Sequence, residues 1–237
     1  MTRTFEKPRV YVKKVGIFGP YTVWLVDGEY VRKEISEDFV EFEHHIHLHH
    51  IPVDELWIDH ETHFRERHFF IETAITERML AEKGLPEKTA HKKAIREEAR
   101  KRAQTIPKNL RGLSEKHEEL VKHIHRDLLQ EYSTPTLHVW LIHGKLVRDF
   151  FLTEYALGGH DRVYPFIPEG EIWIEDVLLE QERKFIILHE LHERFLMGTG
   201  KAYREAHHGA TIVEDRYRDD PKNLEERIQE ELEKNSV

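Results

Sequence analysis

Short apolar runs alternate with amphipathic stretches along the chain, and the same order of segments occurs twice. Each half opens with an apolar run, continues through a second short apolar run that ends in Trp-Ile, and closes with two stretches of helical periodicity. The periodicity predicts paired helices over 62–83 and 86–104 in the first half, and over 179–197 and 200–217 in the second. A glycine between the helices of each pair favours the left-handed backbone of a helix C-terminus.

The start of each half has the pattern of two β-strands joined by a tight turn. Thr22–Val26 and Glu29–Ile35 flank Asp27-Gly28, and Asp-Gly is typical of a type I′ hairpin turn. His143-Gly144 stands at the same turn in the second half. Strands followed by helices indicate the α+β class, with helices packed on one face of a small antiparallel sheet.

The two halves are copies of one another. Shifting the chain by 116 positions brings residues 21–102 onto 137–218 without a gap, and about a third of the positions are identical. Self-similarity at one fixed spacing is the signature of a repeated unit. We therefore predict a tandem duplication of one α+β unit, with its copies in a pseudo-twofold arrangement. Matched segments include Val23-Trp24-Leu25 with Val139-Trp140-Leu141, Ile51-Pro52 with Ile167-Pro168, and Trp57-Ile58 with Trp173-Ile174.

Three segments lie outside the copies. Residues 1–20 are expected to form an N-terminal strand or extension, 103–136 a linker and a helix, and 219–237 a C-terminal helix. An apolar stripe at Leu120, Ile124 and Leu128 predicts the linker helix from Ser114 to about Glu131. Asp220-Pro221 has the pattern of an N-cap followed by the first helical residue, which places the start of the C-terminal helix there.

Candidate chemistry concentrates in the first helix of the second copy, which contains His189-Glu190 and Glu193. His189 and Glu193 are four residues apart, so both side chains share one helix face and can hold one metal ion. The segment resembles the H-E-x-x-H motif of zinc peptidases, in which the glutamate acts as general base on a metal-bound water. The second ligand position holds Glu193 instead of histidine. The resemblance covers five residues and implies a metal site more than peptidase activity.

The following helix supplies His207, and a helical hairpin near Gly200 brings it opposite His189 and Glu193. Two histidines and one glutamate form the ligand set of many catalytic zinc sites, which leave a fourth position for water. We expect His160 as a further metal ligand or substrate-binding group. Glu214 is expected to orient His207 as a second-shell carboxylate, with Asp176 as a weaker candidate for such a role. The alternative is a polar network that binds no metal.

The first copy keeps part of this set, with His44, Glu77, His91 and Glu98 at the matching positions. Thr73 and Ala74 replace His189 and Glu190. One interpretation is that the first copy is a degenerate structural partner and the second copy holds the active site. The other is that the shared residues serve packing in both copies.

A histidine-rich tract also lies in the first copy. On a β-strand, His45, His47 and His49 would project from one face and form a possible second metal site. An exposed, pH-sensitive strand is the alternative.

Composition limits the classes of function. The chain has 237 residues, no cysteine, 34% charged residues and a formal net charge of −9. Absence of cysteine excludes disulfides, thiol nucleophiles and cysteine-ligated zinc. The high charge resembles proteins from hot environments. The negative charge disfavours nucleic acid as a partner. No apolar run predicts a membrane span and no signal peptide is visible, so we expect a cytoplasmic protein that does not bind membranes.

These features favour a metal-dependent hydrolase, a zincin-like peptidase or amidase, with zinc as the cofactor. Its site would lie in the second copy, Glu190 would be the catalytic base, and the substrate would be a small molecule or peptide. The alternative is a non-enzymatic binding or assembly module, in which a structural His/Glu metal site or polar network holds the helices together. A homo-oligomer is compatible with either.

Overall fold

The computed structural model describes residues 7–36 and 39–236. The chain forms two compact units, and each has a four-stranded sheet followed by helices, which confirms the tandem α+β fold. Unit 1 spans Met1–Pro107 and Arg148–Glu154, and unit 2 spans Lys108–Val147 and Tyr155–Val237. The segment Arg148–Glu154 therefore clusters with unit 1, although its sequence lies within the second copy.

Unit 1 contains the first copy and the strand that precedes it. The sheet order is β1-β2-β4-β3, and helices α3 and α4 follow the last strand. The elements are α1 (Lys7–Val10), β1 (Tyr11–Phe18), β2 (Tyr21–Val26), α2 (Gly28–Glu34), β3 (Phe42–His44), β4 (Glu55–Asp59), α3 (Arg67–Glu82) and α4 (Glu87–Thr105).

Unit 2 repeats this plan and adds a C-terminal helix. The sheet order is β5-β6-β8-β7, and short 3-10 helices lie at Arg111–Leu113 and Gln130–Tyr132. The elements are α5 (His117–Ile124), β5 (His125–Leu128), β6 (His138–Ile142), α6 (Gly144–Phe150, which continues into unit 1), β7 (Gly158–His160), β8 (Glu171–Glu175), α7 (Glu180–Gly198), α8 (Tyr203–Asp219) and α9 (Leu224–Lys234).

Both sheets are mixed, whereas we expected antiparallel sheets. Strands β2 and β4 pair in parallel, as do β6 and β8, and the outer strands pair antiparallel. A parallel pair needs a crossover connection, and helices α2 and α6 occupy these connections. The central strands are buried on both faces, which explains their nearly continuous apolar sequences.

The prediction of a hairpin at Asp27-Gly28 is wrong. Asp27 instead caps helix α2, and its Oδ1 accepts a hydrogen bond from the Tyr30 amide at 3.0 Å. Gly28 is required by close packing, since a Cβ there would lie 1.8 Å from Asp59 Oδ2. At the matching position, a Cβ on Gly144 would lie 2.1 Å from Glu175 Oε2. The segments predicted as second strands are helices.

The linker and the tail also differ from expectation. Helix α5 ends at Ile124, and the next four residues form strand β5, which pairs with β6. The C-terminal helix begins at Leu224, not at Asp220-Pro221, and Asn223 precedes it with φ +63°. Docking on the second-copy core explains the helix, since Leu224, Ile228 and Leu232 are buried there.

The paired helices after each sheet are close to their predicted bounds and position the candidate site. The connections α3–α4 and α7–α8 contain Gly84 at φ +87° and Gly200 at φ +95°, as expected for helix C-termini. Ala206 and Ala210 are fully buried on α8, which lets that helix approach α7 closely. None of the helices in the described ranges combines the length and the apolar character needed to cross a bilayer.

Candidate metal centre

Three elements of unit 2 direct imidazoles at one carboxylate, Glu193. His189 lies one turn earlier on α7, His207 lies on α8, and His160 ends strand β7. Strand β7 can approach α7 because Gly158 has no side chain, since a Cβ there would lie 2.8 Å from Ile186 Cγ2. The predicted residues His160, His189, Glu193 and His207 therefore lie in one cluster.

The donor atoms of His189, Glu193 and His207 converge. Glu193 Oε2 lies 2.6 Å from His207 Nδ1 and 3.6 Å from His189 Nε2, and the two nitrogens are 3.2 Å apart. A tetrahedral ion with ligand bonds of about 2.0–2.2 Å keeps its donors roughly 3.3–3.5 Å apart. The 3.2 and 3.6 Å separations lie near this range, and the 2.6 Å hydrogen bond between Glu193 and His207 would open by about 0.7 Å around a zinc-sized ion. The His207 side chain is 50% exposed, so the cluster has a solvent side.

The hydrogen bond between His189 and Glu214 selects the nitrogen that faces the cluster. His189 Nδ1 donates to Glu214 Oε2 at 2.7 Å, which directs Nε2 toward Glu193 and His207. Arg218 fixes Glu214 in turn, since its Nε donates to Glu214 Oε1 at 2.7 Å. A carboxylate behind the distal nitrogen is the usual support of a metal-ligating histidine. We expected Glu214 to orient His207, and the residue that it contacts is His189.

His160 has the opposite tautomer. The Arg162 amide donates to His160 Nδ1 at 3.2 Å, so the ring proton lies on Nε2. That nitrogen donates to Glu193 Oε1 at 3.0 Å, on the side away from His207. His160 therefore holds the glutamate in place, and its Nε2 lone pair is not available while this bond is made.

Glu190 lies next to Glu193 at the inner side of the cluster. Its carboxyl oxygen lies within 4.8 Å of the ligand atoms of His160 and Glu193. Within the described ranges no hydrogen bond reaches this carboxyl group. Burial, together with the charges of Glu193 and Glu214, raises the pKa of Glu190 to about 8, although nearby His189 lowers it. A buried carboxyl that titrates near neutrality is typical of functional sites.

The other charges of the cluster favour ionised carboxylates and protonated imidazole. Burial raises the pKa of Glu193, but hydrogen bonds from His160, His189 and His207 outweigh it and hold that pKa well below its usual range. Burial lowers the pKa of His189, yet hydrogen bonds to Glu193 and Glu214 raise it to about 10. A divalent cation would displace this imidazole proton, as metals do when they bind protonated ligands.

Unit 1 has a related cluster around Glu77. His91 Nδ1 lies 3.0 Å from Glu77 Oε2, and His44 Nε2 lies 3.5 Å from the same oxygen. Thr73, at the position of His189, donates its hydroxyl to Glu98 Oε2 at 2.6 Å. The place of Glu190 is filled by apolar packing, since Ala74 belongs to the core and Phe42 stacks on Phe70.

The histidine-rich tract is not a strand with one histidine face. Strand β3 ends at His44, and the residues that follow form turns. His45 Nδ1 bonds the Ile51 carbonyl at 2.7 Å and His49 Nδ1 bonds the His45 carbonyl at 3.0 Å. His47 alone of the three joins the Glu77 cluster, with Nε2 2.9 Å from Glu77 Oε1.

Asp176 does not support the candidate site. It bonds Arg126 at 2.8 Å and His143 at 3.0 Å, so it belongs to a different network.

Arg218, which was not identified from the sequence, anchors Glu214 and pairs with the buried Glu182 at 2.8 Å. Its position four residues after Glu214 was the available signal.

Comparisons with protein families, curated sequences and solved structures give no match for the chain.

Proposed function

We propose that unit 2 binds one divalent metal ion through His189, Glu193 and His207. The observation that carries this proposal is the convergence of three donor atoms, with Glu214 directing the His189 ring. Three protein ligands with a solvent-facing side leave a coordination position for water, which is the arrangement of catalytic sites. The donors are nitrogen and oxygen, a set that suits zinc among other divalent ions.

We further propose that the protein is a metal-dependent hydrolase, a zincin-like peptidase or amidase. A bound zinc ion supplies Lewis acidity and a water of lowered pKa. Glu190, whose carboxyl group lies beside Glu193, would accept the proton of the attacking water, since the positive charge of an ion bound at Glu193 would lower the pKa of Glu190 and ionise it. His160 positions Glu193 through Nε2. The reaction class is amide or peptide hydrolysis of a small molecule or peptide.

A metal measurement on full-length, untagged protein tests the site. His207→Ala is compared with His208→Ala, its exposed neighbour on the same helix. We expect the first variant to lose one metal ion per chain relative to wild type, and the second to keep it. Mass spectrometry gives the metal content. Equal metal content in the two variants would refute the ligand assignment.

The hydrolase proposal is tested by Glu190→Gln, which keeps the shape of the side chain. A general base contributes about 10²–10⁴-fold to a rate, so turnover of any peptide, amide or ester substrate should fall by that factor. Metal content should stay at the wild-type value. Unchanged turnover would remove Glu190 from the reaction.

An assembly module is the second candidate function. It is favoured by the Glu77 cluster, in which a glutamate also contacts three imidazoles but no residue equivalent to Glu190 is present. On this alternative, His207→Ala lowers stability and no substrate is turned over by any metal-loaded form.

A further inference from the structure

The turn after strand β3 supplies unit 1 with an imidazole that the repeat pattern does not contain. His47 Nε2 lies 2.9 Å from Glu77 Oε1, and the matching position in unit 2 is Val163. Candidate ligand atoms of His44, His47 and Glu77 all lie within 4.8 Å of one another. We infer that unit 1 binds a second divalent ion, of the zinc type, through His44, His47 and Glu77.

The buried Nε2 of His44 is the atom whose surroundings point to a bound metal ion. The residue is 0% exposed, and within the described ranges its Nε2 makes no hydrogen bond of good geometry, although it lies 3.5 Å from Glu77 Oε2. A buried polar atom without a partner is destabilising, and a metal ion would provide the partner. The matching nitrogen of His160 differs, because it bonds Glu193 at 3.0 Å. Ligation through Nε2 places the ring proton on Nδ1, so the 3.3 Å contact from the Ile46 amide opens.

His47 already has the support expected of a ligand. Its Nδ1 donates to Glu43 Oε2 at 2.8 Å, which leaves Nε2 directed at Glu77. A carboxylate bonded to the distal nitrogen fixes the ring and raises its basicity toward a metal. His91 holds the other oxygen of Glu77 through Nδ1 at 3.0 Å, and Glu154 Oε1 accepts from its Nε2 at 2.8 Å.

The site differs in kind from that of unit 2. Phe42 and Ala74 occupy the matching positions of Gly158 and Glu190, so the buried carboxyl proposed as a base has no counterpart. The ion would connect the histidine turn to helix α3. We therefore assign this ion no reaction, and the assignment does not depend on the hydrolase proposal.

The test titrates Zn²⁺ into chelator-treated, full-length protein and reads stoichiometry and affinity by calorimetry. His207→Ala serves as the background, so that the ligand set of unit 2 is broken. We expect this variant to bind one Zn²⁺ per chain. Adding His47→Ala should weaken binding at least tenfold, whereas adding His49→Ala should leave it unchanged. His49 belongs to the same tract but bonds only the His45 carbonyl among the described contacts.

Folding of each variant is checked by circular dichroism, and His47→Gln repeats the comparison if His47→Ala loses helix signal. Equal Zn²⁺ affinity in the His47 and His49 variants would overturn the inference. So would a His207→Ala variant that binds no Zn²⁺ while wild type binds one, and this result would leave the unit 2 site standing. One Zn²⁺ in both wild type and His207→Ala, lost with His47→Ala, would instead support the unit 1 site and refute the unit 2 site.

Discussion

Which nitrogen of each histidine is available depends on the partner of the other nitrogen. Glu214 and Glu43 each accept from a distal ring nitrogen and so direct His189 and His47 inward. The Arg162 amide does the reverse for His160, and the Ile46 amide does the same for His44, so metal binding by His44 requires its other tautomer. Side chains of the same type therefore have different chemical roles within one cluster.

The buried carboxyl group of Glu190 makes a prediction about pH. An unfolded glutamate ionises near pH 4.5, whereas burial keeps Glu190 protonated until about pH 8. Between these values the folded state binds one more proton, so stability falls as pH rises. Metal-free Glu190→Gln should match wild type below pH 4.5 and exceed its stability at pH 9 by a few kcal/mol, since one pKa unit corresponds to about 1.4 kcal/mol. Urea unfolding at several pH values measures this, and a pH-independent difference would contradict the pKa.

Sequence spacing alone was enough to group His189, Glu193 and His207. Positions four apart share a helix face, and a glycine turn folds α8 back onto α7. The partner of Glu214 was not predictable in this way. Spacing does not fix how α8 is rotated against α7, and that rotation decides whether Glu214 contacts His207 on its own helix or His189 on the facing helix. His47 was missed as a Glu77 contact because its approach depends on a turn, which has no periodic signature.

Helices and strands follow the sequence pattern where burial and local preference agree. The paired helices lie close to their predicted bounds because the end of each apolar stripe and the glycine that follows it indicate the same helix end. The hairpin prediction at Asp27-Gly28 was wrong because aspartate is common both at helix N-caps and in hairpin turns, and here it is an N-cap. Glycine is required at position 28 because the Asp59 carboxylate packs against it. This is a tertiary contact, and the local sequence does not predict it.

The close approach of strand β7 to helix α7 predicts a defined effect of one added methyl group. Gly158→Ala places a Cβ 2.8 Å from Ile186 Cγ2 and 3.2 Å from the Trp173 carbonyl oxygen. Overpacking of this kind costs about 1–3 kcal/mol. The free energy of unfolding should fall by that amount, while Gly112→Ala, which meets nothing within 4 Å, should stay near wild type. Equal denaturant midpoints for the two variants would exclude the tight contact.

The chain as a whole is duplicated in sequence, but its structural units do not follow the copy boundaries. Arg148 matches Arg32, which bonds Asp59 at 2.9 Å within the first copy. Arg148 bonds Glu66 Oε2 at 2.5 Å and Glu41 Oε1 at 2.6 Å in unit 1. A residue of the second copy thus bonds two glutamates of the first copy, which the position of its match Arg32 in the repeat does not predict.

Arg148 is therefore expected to matter more to stability than an exposed arginine. Arg148→Ala removes one of the two arginines that bond the buried Glu66, whose other partner Arg102 lies at 2.6 Å, so the cost should be at most that of breaking a buried pair, about 3–5 kcal/mol. Arg126→Ala, which removes a side chain 51% exposed, should cost no more than about 1 kcal/mol. Chemical denaturation compares them, and similar losses would show that the Arg148 network contributes little.

His47 contacts Glu77 from a turn, whereas His189 contacts Glu193 from a helix, and this difference bears on how the two copies diverged. An ancestor with histidine at both position 47 and position 73 would have offered Glu77 a spare imidazole. Loss of either one would have left three imidazoles around the carboxylate, the number that Glu193 contacts in unit 2. Through such an intermediate a helix loses a histidine that a turn has made redundant, and Glu77 keeps three imidazole contacts although position 73 is threonine.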